Sequence, residues 1–412
     1  MPHRFRGISV TLAASACIFV LFLSGCQRKG LEELVSSQLF SLSFGKMEDQ
    51  IDLFQFPGTM VEKKNSIVMR DGWFYVANGS AGKIMVFSSY GDLIFLLYNA
   101  QTNPAPTHLG PVDPNASDEV STRGYVSYPF TDIGQIAVAS DKTLYVEDAI
   151  PDAKIVKDAD KGILLSRVIL RFDRKGRQLG YLGQEGIGGT PFPFVSALHV
   201  TAKDQLVVVC RLPQEWEVFW FSREGVPLYQ VQIDSAHLPS HAEKGITPVL
   251  VNILPDLQNP LLYLVIYSYS AATDTGAAAG SGQDNVPARA YKLDLRTGQY
   301  DQASVEFPQN PPRREKVGLK TTEIPSPPSD LVGVSDSGYF YLLAYTDTNL
   351  YTLQILDPSG RVKSRRRMII EDSELLYRDV RLSSTGIMYG LLADQTRAHI
   401  SWWRSDLLLT GE

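Results

Sequence analysis

The stretch from Ser66 to Leu97, SIVMRDGWFYVANGSAGKIMVFSSYGDLIFLL, constrains the chain more than any other. Ile67 and Val68 begin an apolar strand, and Arg70-Asp71-Gly72 turns it, because Asp-Gly readily supplies the positive φ of a tight hairpin. Trp73 to Ala77 is an aromatic and β-branched run of strand length. After Asn78-Gly79-Ser80-Ala81-Gly82 comes a third strand, Lys83 to Phe87. Ser88 to Asp92 turns again, and Leu93 to Leu97 is the fourth. A four-stranded antiparallel unit of this size cannot bury both faces alone. It requires neighbours of its own kind.

The chain supplies them as loose copies. The second runs Gln135 to Val138, Thr143 to Val146, Arg167 to Phe172 and Leu179 to Leu182. The third runs Ser196 to Thr201, Leu206 to Arg211, Glu217 to Phe221 and Leu228 to Ile233. Pro248 to Leu254, Leu261 to Tyr267, Arg289 to Leu293 and Ala303 to Phe307 form the fourth. Asp330 to Val334, Tyr339 to Tyr345, Tyr351 to Leu356 and Val362 to Ile370 form the fifth. The sixth has only three strands: Tyr377 to Leu382, Ile387 to Leu392 and His399 to Trp403. Ile51 to Phe56, or the preceding Leu39 to Phe44, is expected to supply its missing strand, because a ring closed in this way has no free edge. The pattern predicts an all-β chain, a six-bladed β-propeller closed by an N-terminal strand; copies this divergent also accommodate five or seven blades. With 32 glycines, 24 prolines and 44% hydrophobic residues, the composition suits a turn-rich globular core.

The first residues follow a different logic. Arg4 and Arg6 precede the apolar run Ile8 to Leu23, short of the roughly 20 residues that span a bilayer. The run ends in Leu23-Ser24-Gly25-Cys26, which resembles the bacterial lipobox. That resemblance implies diacylglyceryl transfer to the Cys26 thiol, cleavage before Cys26, and acylation of the new amino group. At about 0.8 kcal/mol per buried methylene, two or three chains anchor a protein essentially permanently. The implied divisions are a signal peptide over 1–25, a lipidated tether over 26–46 and the propeller over 47–412. Cys17 would leave with the signal peptide. Cys210, inside the apolar run Leu206 to Cys210, is then a buried thiol with no disulfide partner.

Ile67 to Leu97 and Ile136 to Leu182 also resemble the NHL repeat, with an apolar strand, Asp-Gly, an aromatic-Val strand, and Ile-x-x-Phe before a glycine turn. Lys83 to Phe87 with Gly91, and Arg167 to Phe172 with Gly176, carry the likeness best. A signal peptide followed by divergent repeats is similar to propeller lipoproteins of spirochaetes. The NHL resemblance implies a propeller that binds proteins, RNA or small ligands. A formal net charge of −6 argues against nucleic acid.

Four interruptions break the repeats: Asn99 to Ser127, Ala149 to Ser166, Ser268 to Ala288 and Pro308 to Ser329. By strand direction all four fall on one rim of the ring. The opposite rim has tight turns containing Gly91, Gly176, Gly225, Gly360 and Gly386. Long loops gathered on one side suggest a binding surface, although Ala277 to Gly282 reads as flexible filler. The second strands end on the same rim, at Asn78, Asp148, Arg211, Ser268, Tyr345 and Asp394. These make a mixed polar ring of ligand-binding candidates, which would otherwise be ordinary strand-end residues.

No catalytic motif stands out. The six histidines are scattered, and Pro239 separates His237 from His241. Asp113, Asn115, Asp118 and Glu119 are oxygen ligands of a type that suits calcium, but without the EF-hand glycine they read as a solvated acidic loop. Arg365-Arg366-Arg367 suits an exposed strand edge that discourages aggregation. Trp402 and Trp403 point to opposite faces of one strand, one into the core and one into a blade interface. The expected function is a lipid-anchored envelope protein, in the outer membrane and facing periplasm or exterior, whose long-loop face binds a protein, peptide or glycan. No cofactor or metal is expected. The alternative is a propeller enzyme resembling calcium-dependent lactonases or lyases, with Asn78, Asp148 and Asp394 as channel ligands. The chain also resembles the propeller lipoprotein of outer-membrane barrel assembly, but lacks its tryptophan-rich repeat.

Overall fold

Leu206–Arg211 reads LVVVCR and is buried from Leu206 to Cys210, with no polar alternation. A strand held between two neighbouring sheets buries both faces, so alternate side chains enter different apolar layers. Leu206, Val208 and Cys210 pack with Tyr145, Ile169 and Phe192. Val207 and Val209 pack instead with Ile253, Leu262 and Leu264. The same division holds around the whole ring. Six apolar clusters occur, and each is shared by two adjacent blades.

The computed structural model describes residues 31–53, 64–112, 123–239, 246–270, 287–317, 320–324 and 326–409. By internal contacts the chain separates into Met1–Glu32, almost wholly outside those residues, and Glu33–Glu412. The second unit is the six-bladed propeller. Its first blade comprises Asn65–Arg70, Trp73–Asn78, Lys83–Ser88 and Leu93–Tyr98. The second comprises Ile136–Val138, Leu144–Ala149, Arg167–Phe172 and Gln178–Gly183. Val195–Val200, Leu206–Arg211, Glu215–Phe221 and Pro227–Asp234 make the third. The fourth has Ile246–Pro255, Leu261–Ser270 and Arg289–Asp294, flanked by the short segments Gln299–Tyr300 and Val305–Glu306. Asp330–Val334, Phe340–Asp347, Leu350–Leu356 and Val362–Ile369 make the fifth. Among the described residues no helix is long and apolar enough to cross a membrane.

The sixth blade has Tyr377–Leu382, Met388–Ala393 and Arg397–Trp403, completed by Ser37–Ser43 as its outermost strand. Of the two expected closing segments, Leu39 to Phe44 therefore supplies the strand. Ile51 adds one bridge to Phe44 and a wholly buried side chain, while 54–56 lie outside the described residues. The folded ring thus begins ahead of residue 47, inside the stretch expected to be tether. The closing segment touches three blades. Leu34 N–H donates to the Arg367 carbonyl of the fifth blade at 2.8 Å, and Glu33 pairs with the Arg367 side chain at 2.7 Å. Phe40 then packs on Phe87 and Phe74 of the first blade. Gly91 turns at φ +85° directly beneath Phe40, where any Cβ would collide with that ring. The wholly buried Asn78 exchanges hydrogen bonds with the Asp52 main chain, donating at 2.7 Å and accepting at 2.8 Å.

Trp403 lies buried between the fifth and sixth blades, and Trp402 packs at the seam between the sixth and the first. Both are interface residues, because the blade interfaces are the core. Cys210 is buried and unpaired, and burial pushes its thiol up. The arginine run sits on the outermost strand of the fifth blade, with Arg367 engaged by the closing segment.

Closure by Ser37–Ser43 makes Leu42, 3% exposed, part of the seam between the sixth and first blades. Leu42→Ala is expected to cost about 2–5 kcal/mol in urea unfolding. Val35→Ala, at an exposed position, should stay within about 0.5 kcal/mol. Equal, small effects at both positions would show that the ring holds without its closing strand.

Candidate functional site

Two features of the ring offer surface to a ligand: the rim that carries the interruptions, and the central cavity. On the rim, three interruptions bear secondary structure that the sequence did not signal. Within the first, Gly124–Ser127 pairs in parallel with Leu93–Tyr98 as a fifth strand of the first blade. The second folds into a hairpin, Val156–Asp158 against Ile163–Leu165. Lys161 at its tip reaches the third blade, bonding Glu215 at 2.7 Å and also Glu217. The fourth forms the hairpin Arg313–Val317 against Lys320–Ile324. Most of the third lies outside the described residues, as do Ala277 to Gly282, Asp113, Asn115, Asp118, Glu119, His241 and Cys26.

The polar ring of strand ends is mostly committed to local structure. Asn78 holds Asp52 as described, and also donates to Asn65 Oδ1 at 2.8 Å. The Asp148 carboxylate accepts the main-chain N–H groups of Asp132 at 2.7 Å, Ala149 at 3.0 Å and Thr131 at 3.1 Å. Burial nevertheless pushes it up to about 6. Asp394 accepts from the Thr396 hydroxyl at 2.6 Å and from the Thr396 and Arg397 main-chain N–H groups, and faces His399 Nε2 at 3.0 Å; these bonds hold it well below the usual carboxylate range. Tyr345 stacks edge-on against Tyr351. Arg211 is exposed, its guanidinium 5.3 Å from the Trp216 ring centre. Ser268 is paired within its strand opposite Pro248. None of these six lines the central cavity. Among the described residues no three His, Cys, Asp or Glu side chains gather as they would around an ion.

The cavity, about 560 Å³, is walled by the first strands of all six blades. Those strands are the inner edges of their sheets, so their outward main-chain groups have no further strand to pair with. Side chains, some of them from neighbouring blades, answer several of these groups. Asp379 accepts the Ile67 N–H at 3.2 Å, and the Tyr377 hydroxyl donates to the Asn65 carbonyl at 2.7 Å. The wholly buried Glu147 accepts the Gln135 N–H at 2.7 Å and Lys64 Nζ at 2.8 Å. Lys64, on the first blade, also donates to the Val195 carbonyl of the third at 2.9 Å, so one side chain links three blades. A Cβ on Gly134 would fall on the Glu147 carboxylate, which explains the glycine there.

Deeper in the cavity, Arg381 Nε donates to both Asp379 oxygens at 3.0 Å, and its Nη2 donates to Gln135 Oε1 at 3.0 Å. His199 stands on the wall of the same cavity; burial, with the Arg381 charge, lowers it to about 4 and keeps it neutral at pH 7. Sequence reading passed over His199, Arg381 and Arg70. The available signal was register: His199 and Arg381 each stand one residue before the end of a first strand, in repeats three and six.

No protein-family model matches the chain, and no curated protein matches it. Solved structures do. A protein of unknown function from Dyadobacter fermentans aligns at 11% identity and TM-score 0.38, over 89% of this chain and 98% of that one. Regucalcin, a calcium-binding protein from Agrobacterium tumefaciens, aligns at 9% and 0.37, over 83% and 89%. The extracellular domain of a protein assigned to a hybrid two-component system of B. thetaiotaomicron aligns at 11% and 0.36. That alignment takes in 90% of this chain, which spans 38% of the other's length.

Asp148 gives the rim a pH signature. Its folded value near 6 exceeds the ordinary 3.8, so between those pH values the native state keeps a proton that the unfolded state has lost. Stability from this group is therefore lost as pH rises from 3.8 to 6. Relative to Asp148→Asn, the wild type should decline by on the order of 2–3 kcal/mol across that window in urea titrations, then level off. A difference that stays flat would mean that Asp148 titrates normally.

Proposed function

We propose that this chain is an envelope lipoprotein, anchored through acyl chains on Cys26, whose propeller acts as a binding scaffold. The rim bearing the four interruptions would meet a protein, peptide or glycan outside the inner membrane. One observation carries the reading: insertions concentrate on the rim where second strands end, and at least two are built as hairpins. The hairpin of the second blade is braced to the third by Lys161, whose partner Glu217 is almost wholly buried. Extra chain that is ordered and tied down presents a defined surface at less entropic cost on binding than a free loop. Among the described residues the turn rim has no comparable additions, only tight turns such as Asp173–Gly176 and Asp357–Gly360.

An anchor at Cys26 suits this arrangement. The closing segment leaves the ring at Glu33, so a short polar stretch would separate lipid from fold. The lactonase-like alternative draws no support from Asn78, Asp148 and Asp394, each engaged by nearby main-chain groups.

Metabolic labelling with a palmitate analogue should tag the wild type and not Cys26→Ser, which should move to the soluble fraction. Crosslinking on cells with a reagent that cannot pass the outer membrane should capture a partner only if the rim faces outward; after permeabilisation it should capture one in either case. Replacing 152–160 by a short Gly-Ser link, which leaves Lys161 on Glu217 and the buried Leu165 in place, should cut that capture at least several-fold while the protein stays folded. Equal capture by the trimmed protein would remove the rim from the function.

A further inference from the structure

We propose that the turn-side end of the central cavity is a binding site for a small carboxylate-bearing molecule. Four basic residues line this cavity. Arg378 is engaged by Asp372 and the Tyr351 hydroxyl, and the other three, Arg70, His199 and Arg381, come from three blades. His199 and Arg381 occupy the equivalent register position of the third and sixth blades. The second and fifth blades place the small residues Ala137 and Gly333 there, and a Cβ on Gly333 would meet Leu382 of the sixth blade at 2.9 Å.

Two nitrogens on this wall are buried without a hydrogen-bond partner, Nε of Arg70 and Nε2 of His199. Such atoms are few in folded proteins, and each forfeits the hydration it had in the unfolded chain. Two of them on one cavity wall mark a place that an acceptor group would complete. Arg381 adds a third donor. Its contacts with Asp379 and Gln135 occupy Nε and one Nη2 hydrogen, out of five N–H groups on a guanidinium.

The charge balance selects the ligand class. Two carboxylates also line the cavity. Asp379 is neutralised by Arg381, and Asp330 accepts the Tyr267 hydroxyl at 3.2 Å at the insertion-rim end of its strand. Beside the cavity, Asp71 lies 3.9 Å from Arg70 Nε, beyond hydrogen-bond reach, and is shared with Lys142. The turn-side end is left rich in N–H donors that lack an acceptor. Planar guanidinium groups match a carboxylate in two parallel hydrogen bonds, and neutral His199 can donate from Nε2. A volume of about 560 Å³ accommodates a small metabolite rather than a polymer. The site is independent of the insertion rim, and its failure would leave the rim reading untouched.

The test is calorimetry on the full chain at pH 7 and constant ionic strength, with succinate, citrate and N-acetylneuraminate as probes and glucose as the uncharged control. Saturable one-to-one binding of at least one carboxylate, and none of glucose, is expected. Arg70→Gln and His199→Gln should each weaken it about tenfold or more, with the unliganded melting temperature unchanged. The His199 imidazole, followed by NMR in the wild type, should titrate above about 4 once a carboxylate is bound. The absence of saturable binding by any of the three probes overturns the proposal, as does undiminished affinity in both variants. Should either variant fail to fold, an imidazole titration unmoved by saturating carboxylate overturns it as well.

Discussion

The ring stands on six apolar seams, and no seam belongs to a single blade. Each is made from one face of one sheet and the opposing face of the next, so a blade removed from its neighbours would expose both faces. The seam between the sixth and first blades is distinct because its two sides lie far apart in sequence. It joins Tyr389, Leu391 and Ile400 to Ile67, Phe74 and Met85, and Leu42 and Ile51 of the closing segment complete it. Every other seam is made by blades consecutive in the chain. Closure therefore bears the largest loop-entropy cost, and the closing segment offsets it with hydrogen bonds, an ion pair and aromatic packing across three blades.

Closing a ring of sheets also leaves their inner edges facing the axis. The cavity wall is polar because six first strands offer main-chain groups there, not because the sequence concentrates charge in one segment. Asp379, Tyr377, Glu147 and Lys64 are drawn into satisfying those groups and one another. Arg70 Nε and His199 Nε2, left without an acceptor at the turn-side end, are the residue of that accounting. On the insertion rim, added chain folds as hairpins, and that of the second blade rests Ile163 against the seam with the third.

The fold was largely legible from residue patterns. Alternation, Asp-Gly and Gly turns, and a three-stranded last copy lead directly to six blades and an N-terminal closing strand. The choice between Leu39 to Phe44 and Ile51 to Phe56 was not legible, because both are short apolar runs and only pairing with Arg397–Trp403 distinguishes them. The hairpins at Val156–Leu165 and Arg313–Ile324 were equally hidden, their strands being only three to five residues long. Candidate site residues were the least legible. Asn78, Asp148 and Asp394 are polar side chains at strand ends, and such residues hydrogen-bond nearby main chain before they are available to anything else.

By itself the sequence determined the strands of the blades and pointed to six of them, since strand period and turn chemistry are local properties carried by adjacent residues. It also determined that Cys210 would stand alone in an apolar run. Tertiary structure decided which polar residues meet. Arg70, His199 and Arg381 are separated by more than a hundred residues at each step, and nothing in their neighbourhoods sets them apart. They share one cavity only because a closed ring brings the first strand of every blade to the same axis.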